Sequence, residues 1–128
     1  MNCAECSHSI ALSDDGMYVI LRIIGDMDPR VALQVTVEAH KLGRELGVKR
    51  YLCDFRECRN IGSVYDNYWF AYDGTQMSVD IDNSARVATL ISPDDQSHNS
   101  SVTFGRNSGK DLVPFTNLDA AVYYLVKD

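Results

Sequence analysis

The sequence predicts one α/β domain built on a largely parallel sheet, and three observations carry that reading. Apolar runs at Tyr18–Ile24, Tyr51–Phe55, Val87–Ile91 and Leu112–Phe115 are each followed by helical spacing or helix-start residues. That alternation is the signature of strands joined by crossover helices. Asp28-Pro29 opens an amphipathic stretch that closes at Gly47, and Asp14-Asp15-Gly16 punctuates two strand-like segments near the start. At 128 residues the chain is the size of a single domain, able to bury roughly two thirds of its unfolded surface. Residues 1–128 are therefore read as one unit, with residues 1–8 as a flexible N-terminal segment.

Taken in order, Ser9-Ile10-Ala11-Leu12 alternates polar and apolar residues before the Asp-Gly turn, which predicts a short edge strand pairing antiparallel with the Tyr18 run. Asp28 reads as an N-cap and Pro29 as the first helical residue, where a missing N–H costs nothing. Ala32, Val35, Ala39, Leu42 and Leu46 then line one helix face, and Gly47 stands where a left-handed terminal residue is wanted. Arg50–Phe55 is the next strand and Arg56 to Gly62 its loop. Ser63-Val64-Tyr65-Asp66 has the form of a capping box, with Tyr65, Tyr68, Trp69 and Tyr72 at helical intervals after it. Arg86–Ser92 is a core strand stopped by Pro93, and Asp95–Asn107 is a polar, Ser-rich stretch read as a helix. Leu112–Phe115 is an edge strand, because Pro114 cannot donate within a central ladder. Asn117 caps a final helix over Leu118–Val126 with Leu118, Ala121, Val122 and Leu125 on one face.

Strand alternation adds an inference about the two faces of the sheet. Val19, Leu21 and Ile23 make one aliphatic face, whereas Arg22 interrupts Ile20 and Ile24 on the other. A sheet buried equally on both sides carries continuous apolar runs. One face is thus expected to be densely covered by helices, and the other less fully covered and open to contact.

Composition excludes several classes. A net charge of −6, with the basic residues scattered among acids, does not build the clustered Lys/Arg surface that nucleic acid requires. No apolar stretch, Tyr18–Leu21 included, approaches the length of a membrane span. The segment Met1–Cys6 has neither a basic nor an apolar signal region. A cytoplasmic location is expected, where the four cysteines would stay reduced.

The hairpin, the Pro-initiated helix and the strand Tyr51-Leu52-Cys53-Asp54-Phe55-Arg56 resemble the STAS-like group. So do the strand Arg86-Val87-Ala88-Thr89-Leu90-Ile91 and the closing Phe115-Thr116-Asn117-Leu118-Asp119-Ala120-Ala121-Val122-Tyr123-Tyr124-Leu125. That group takes in anti-sigma-factor antagonists and cytoplasmic domains of sulfate transporters, and its fold is called SpoIIAA-like. The resemblance implies a β-α superhelix with a mostly parallel sheet of four to five strands, an antiparallel N-terminal edge strand and about four helices. It also implies a non-enzymatic module that binds a protein partner or ligand, in some members under phosphorylation control. In the antagonists the switch is a serine in an Asp-Ser-Ser-Gly-Leu-like turn. Here the comparable Cys58-Arg59-Asn60-Ile61-Gly62-Ser63-Val64 has a lone Ser63 and no Gly-Leu sequel.

Each chemical motif has a structural reading beside the functional one. Cys3-x-x-Cys6 with His8 offers zinc donors, but a structural zinc site needs a second close pair, and Cys53 on a strand is more simply a small buried hydrophobe. No metal and no cofactor is expected. Gly105–Asp111 departs from a phosphate loop in its glycine spacing, and Asp111 would repel phosphate. Ser63 is an N-cap first. As a phosphorylation site it would set phosphate on a helix N-terminus with Arg56 or Arg59 close in sequence. Tyr65 and Trp69 are core packing or a partner platform. Asp54 and Arg56 lie at the carboxyl end of a strand, where open sheets place ligands, or else form a solvated ion pair. His40 on the long helix reads as a surface residue, and no Ser-His-acid or Cys-His order supports a hydrolase. The leading function is a non-catalytic binding or regulatory module. The alternatives are a small-molecule or lipid carrier using a cleft between helix and sheet, and third an enzyme. Expected partners are a protein or small ligand, with a homodimer through the less covered face or an edge.

Overall fold

The computed structural model describes residues 6–62, 84–98 and 112–127. The chain begins with β1 (Cys6–Leu12) and β2 (Val19–Met27), then α1 (Pro29–Leu46), β3 (Arg50–Asp54), β4 (Cys58–Asn60), β5 (Arg86–Leu90), β6 (Leu112–Phe115) and α2 (Leu118–Val126). Among the described residues the sheet has six strands in the order β1-β2-β3-β5-β6, with β4 also on β2. β1 is antiparallel to β2, and the pairs β2–β3, β3–β5 and β5–β6 are parallel. The mostly parallel α/β sheet with an antiparallel edge is thus present, with one more strand than expected.

Local chemistry explains the ends of these elements. The hairpin closes on Ser13, whose Oγ accepts from the N–H groups of Met17 and Tyr18 and donates to Asp15 Oδ1 at 2.6 Å. Gly16 supplies the positive φ of 74° that this turn demands. β1 starts at Cys6, so residues 6–8, expected in a flexible segment, are paired strand. The α1 cap is as predicted: Asp28 Oδ1 accepts from Arg30 N–H at 2.9 Å and Val31 N–H at 3.0 Å. At the other end Gly47 is left-handed and Val48 N–H donates to Gly43 O at 2.8 Å. Asn117 caps α2 by accepting from Ala120 N–H at 3.0 Å.

Two cores lie on opposite faces of the sheet. On the first, α1 packs Ala32, Val35 and Ala39 against Val19, Leu21, Ile23, Tyr51 and Cys53. On the second, α2 packs Ala121 and Leu125 against Leu52, Ala88 and Leu90. Each large side chain buried this fully contributes roughly 1.5–3 kcal/mol. The second face is less covered towards β1, where Ser7, Ser9, Ala11 and Ile24 are exposed and Ile20 and Arg22 half-buried.

Two α1 expectations need correction. Leu46 is exposed, because its turn is the one at which the chain reverses through Gly47. His40 is buried, not a surface residue. Its ring stacks on Tyr51 with centroids 4.1 Å apart and planes 11° from parallel, so the imidazole acts as a flat packing surface.

Candidate functional site

β3 ends at Asp54, but β2 runs on for several residues. The chain steps outward through Phe55–Glu57 and returns to β2 as β4, pairing Cys58 with Gly25 and Asn60 with Met27. Phe55 N–H donates to Leu90 O at 2.8 Å, and Gly25 N–H to Glu57 O at 2.9 Å. This step sets Arg56 and Glu57 at the carboxyl end of the parallel strands, where open α/β sheets leave a crevice.

Asp54 is buried at the foot of that step. Its carboxylate accepts from Arg56 Nε at 3.0 Å and Nη2 at 2.9 Å, and from Arg56 backbone N–H at 3.2 Å. Arg22, its register partner on β2, brings Nε to 4.0 Å from Asp54 Oδ2 and bonds to Glu57 through Nη2. Charges therefore alternate along Glu57, Arg22, Asp54 and Arg56. Burial works against ionisation of Asp54, but the hydrogen bonds from Arg56 and the two guanidinium charges hold its carboxyl below the usual range. The two residues singled out in the sequence thus form a bidentate, charge-assisted pair.

Opposite this pair, the segment Ser92–His98 is tied to β4. Ser97 Oγ accepts from Asn60 N–H at 3.0 Å, and Asp95 Oδ1 accepts from Ser97 N–H at 2.8 Å. Burial opposes ionisation of Asp95, yet hydrogen bonds from Ser97, then neighbouring His98 and the Arg59 charge, keep its carboxyl low as well. His98 is fully buried, with Nε2 3.0 Å from Cys58 O and its ring stacked on Phe55 at 5.4 Å. A carbonyl only accepts, so Nε2 carries the proton. Between the two walls lies an open cleft of about 600 Å³, lined among others by Gly25, Arg56, Arg59, Asp94, Asp95 and Gln96.

The cysteines of this region are poor nucleophiles. Burial pushes the Cys53 thiol up to about 12. Burial, with the Asp95 charge second, pushes Cys58 up to about 12 also. Among the described residues no group of three or more His, Cys, Asp or Glu side chains is placed to hold a metal ion. None of the described helices is long and apolar enough to cross a membrane.

Ser63, Tyr65, Tyr68, Trp69 and Tyr72 lie outside the described residues, as do Cys3 and Gly105–Asp111. Asp95 and Gln96 are irregular and Ser97–His98 form a turn, and the rest of the helix expected there lies outside as well. The sequence reading missed Arg22, Asp95, Ser97 and His98. Arg22 alone carried a signal, as a charge within an apolar strand.

No family model matches the chain, and no curated protein matches it. Solved structures do. An uncharacterised DUF3478-family protein with a SpoIIAA-like fold from Shewanella loihica PV-4 is 17% identical, with 98% of this chain and 97% of that one covered and a TM-score of 0.59. An anti-sigma factor antagonist from Mycobacterium paratuberculosis is 12% identical, with 95% of each chain covered and a TM-score of 0.59. The antagonist SpoIIAA in its unphosphorylated form is 12% identical, with 91% of this chain and 94% of that one covered and a TM-score of 0.52. With its parallel β2–β3–β5–β6 core, antiparallel β1 and helices on both faces, the chain has the SpoIIAA-like fold.

Proposed function

We propose that this chain is a non-catalytic binding module that engages a protein partner through the cleft at the carboxyl ends of β2, β4 and β5. The observation that carries the reading is the charge state of the cleft's walls. Among its lining residues Asp95 is held ionised by its partners, and Cys58 holds its proton. General acid–base and thiolate chemistry both need groups poised near neutrality, whereas fixed charges of both signs suit partner selection. The cleft is wide open and lined by Arg56, Arg59, Asp94 and Asp95, as a protein surface can use. Two of its fold neighbours are named as antagonists of another protein factor, in keeping with this class. On sequence grounds Ser63 is the position for regulation by phosphorylation, and Tyr65 and Trp69 join the partner surface. The buried thiols of Cys53 and Cys58 fit a cytoplasmic setting.

The test is affinity capture from the source cells with the wild-type chain and with Arg59→Glu and Asp94→Lys, paired with native mass spectrometry. A stoichiometric protein that both variants lose is the expected result. Retention of that protein by both variants, or a co-purifying small molecule in its place, would refute the reading.

A further inference from the structure

Among the described residues β1 pairs only with β2 and closes one end of the sheet. Edge strands are normally guarded by charged residues, proline or a bulge, since an open ladder invites another chain. The run Ser7-His8-Ser9-Ile10-Ala11-Leu12 contains no Lys, Arg, Asp, Glu, Pro or Gly. Its register with β2 is also unbroken from Cys6↔Gly25 to Leu12↔Val19.

Which backbone groups face outward follows from the hairpin. Ser13 N–H donates to Tyr18 O at 2.8 Å, so these two form a hydrogen-bonded pair. Such pairs recur at every second position of an antiparallel ladder. Ala11, Ser9 and Ser7 therefore turn their N–H and C=O groups towards β2, and His8 and Ile10 turn theirs to the open edge.

A second copy of β1, running antiparallel about a two-fold axis at Ser9, presents the complementary pattern. His8 exchanges hydrogen bonds with the partner's Ile10, and Ile10 with the partner's His8. Ser9 then meets the partner's Ser9, and Ser7 the partner's Ala11, as the close non-bonded pairs. Those pairs bring Cα atoms to about 4.5 Å, and Ser7, Ser9 and Ala11 are small and exposed. No like charges meet in this register. We propose that the chain self-associates as a two-fold dimer through antiparallel pairing of β1 centred on Ser9, which continues one sheet across two copies. The pairing uses none of the cleft residues, so it stands or falls apart from the partner reading.

Sedimentation equilibrium of the full chain should show a reversible dimer. Ser9→Lys sets two ammonium groups directly opposite and should weaken the dimer roughly fivefold, with the thermal melt of the fold lowered only slightly, since within one chain position 9 also faces Arg22 on β2. In a Cys3→Ser, Cys6→Ser background, mild oxidation of Ser9→Cys should give a covalent dimer, because a spacing of about 4.5 Å lies within disulfide range. Ser7→Cys in the same background should not cross-link, since its opposite is the partner's Ala11. A wild-type chain that stays monomeric at high concentration overturns the proposal. So does a dimer that ignores Ser9→Lys and forms no bridge through Ser9→Cys.

Discussion

The ring of Tyr51 occupies the space that a side chain on Gly43 would need. A Cβ there would fall 2.8 Å from Tyr51 Cζ and 2.9 Å from Val48 O, with the Tyr51 hydroxyl closer still. Gly43 lies within α1, where glycine ordinarily costs up to about 1 kcal/mol relative to alanine. Here the usual sign reverses. Gly43→Ala should destabilise the fold by about 2 kcal/mol through overpacking, read as a lower midpoint in urea. Tyr51→Phe removes the closest atom and should recover part of that loss in the double variant, despite giving up the bond to Val48 O.

Asp54 links stability to pH. Its carboxyl is held below the ordinary range in the folded chain, so it stabilises the fold above the unfolded carboxylate range and loses that contribution as pH falls through its folded value. Asp54→Ala should cost about 2 kcal/mol at neutral pH by removing its charge-assisted hydrogen bonds with Arg56. In strong acid, where the wild-type group is protonated too, the difference between the two proteins should shrink. Urea unfolding at neutral and acid pH checks both statements.

Arg86 fastens α2 to β5. Its Nη1 donates to Tyr124 O at 3.2 Å and Lys127 O at 2.5 Å, and its guanidinium lies 5.6 Å from the centre of the Tyr124 ring. A cation at a helix C-terminus is favourable in the field of its carbonyls. Arg86→Met keeps the apolar stem and removes the charge, so it should cost about 1 kcal/mol. Amide exchange should quicken in α2 and stay unchanged in α1.

The buried thiols give a chemical test of the packing. With Cys53 and Cys58 both pushed up to about 12, iodoacetamide at mildly alkaline pH should leave them unmodified in the folded chain. Both should label once the chain is unfolded in denaturant, as read by peptide mass spectrometry. Labelling of either at the native rate of half-buried Cys6 would contradict the described core.

Local features of this fold are legible in the sequence, and the site is so only in part. Asp28-Pro29, Gly47 and Asn117 each act on atoms within a few residues, so their side-chain chemistry settles where α1 and α2 begin and where α1 ends. The alternation of Val19, Leu21 and Ile23 marks the face that α1 covers, because strand geometry sends alternate side chains to opposite sides. Asp54 and Arg56 stand out as a strand-end pair for the same local reason.

Tertiary structure decided the remainder. The three residues of β4 have no strand signal of their own and pair only because β2 outruns β3. Burial of His40 depends on Tyr51 arriving from another strand, and that of His98 on a carbonyl 40 residues away. Arg22 joins Asp54 through a parallel register that no short stretch of chain encodes. Caps and alternation are properties of neighbouring residues, whereas these partners exist only once distant segments share one sheet and a polar group finds its counterpart there.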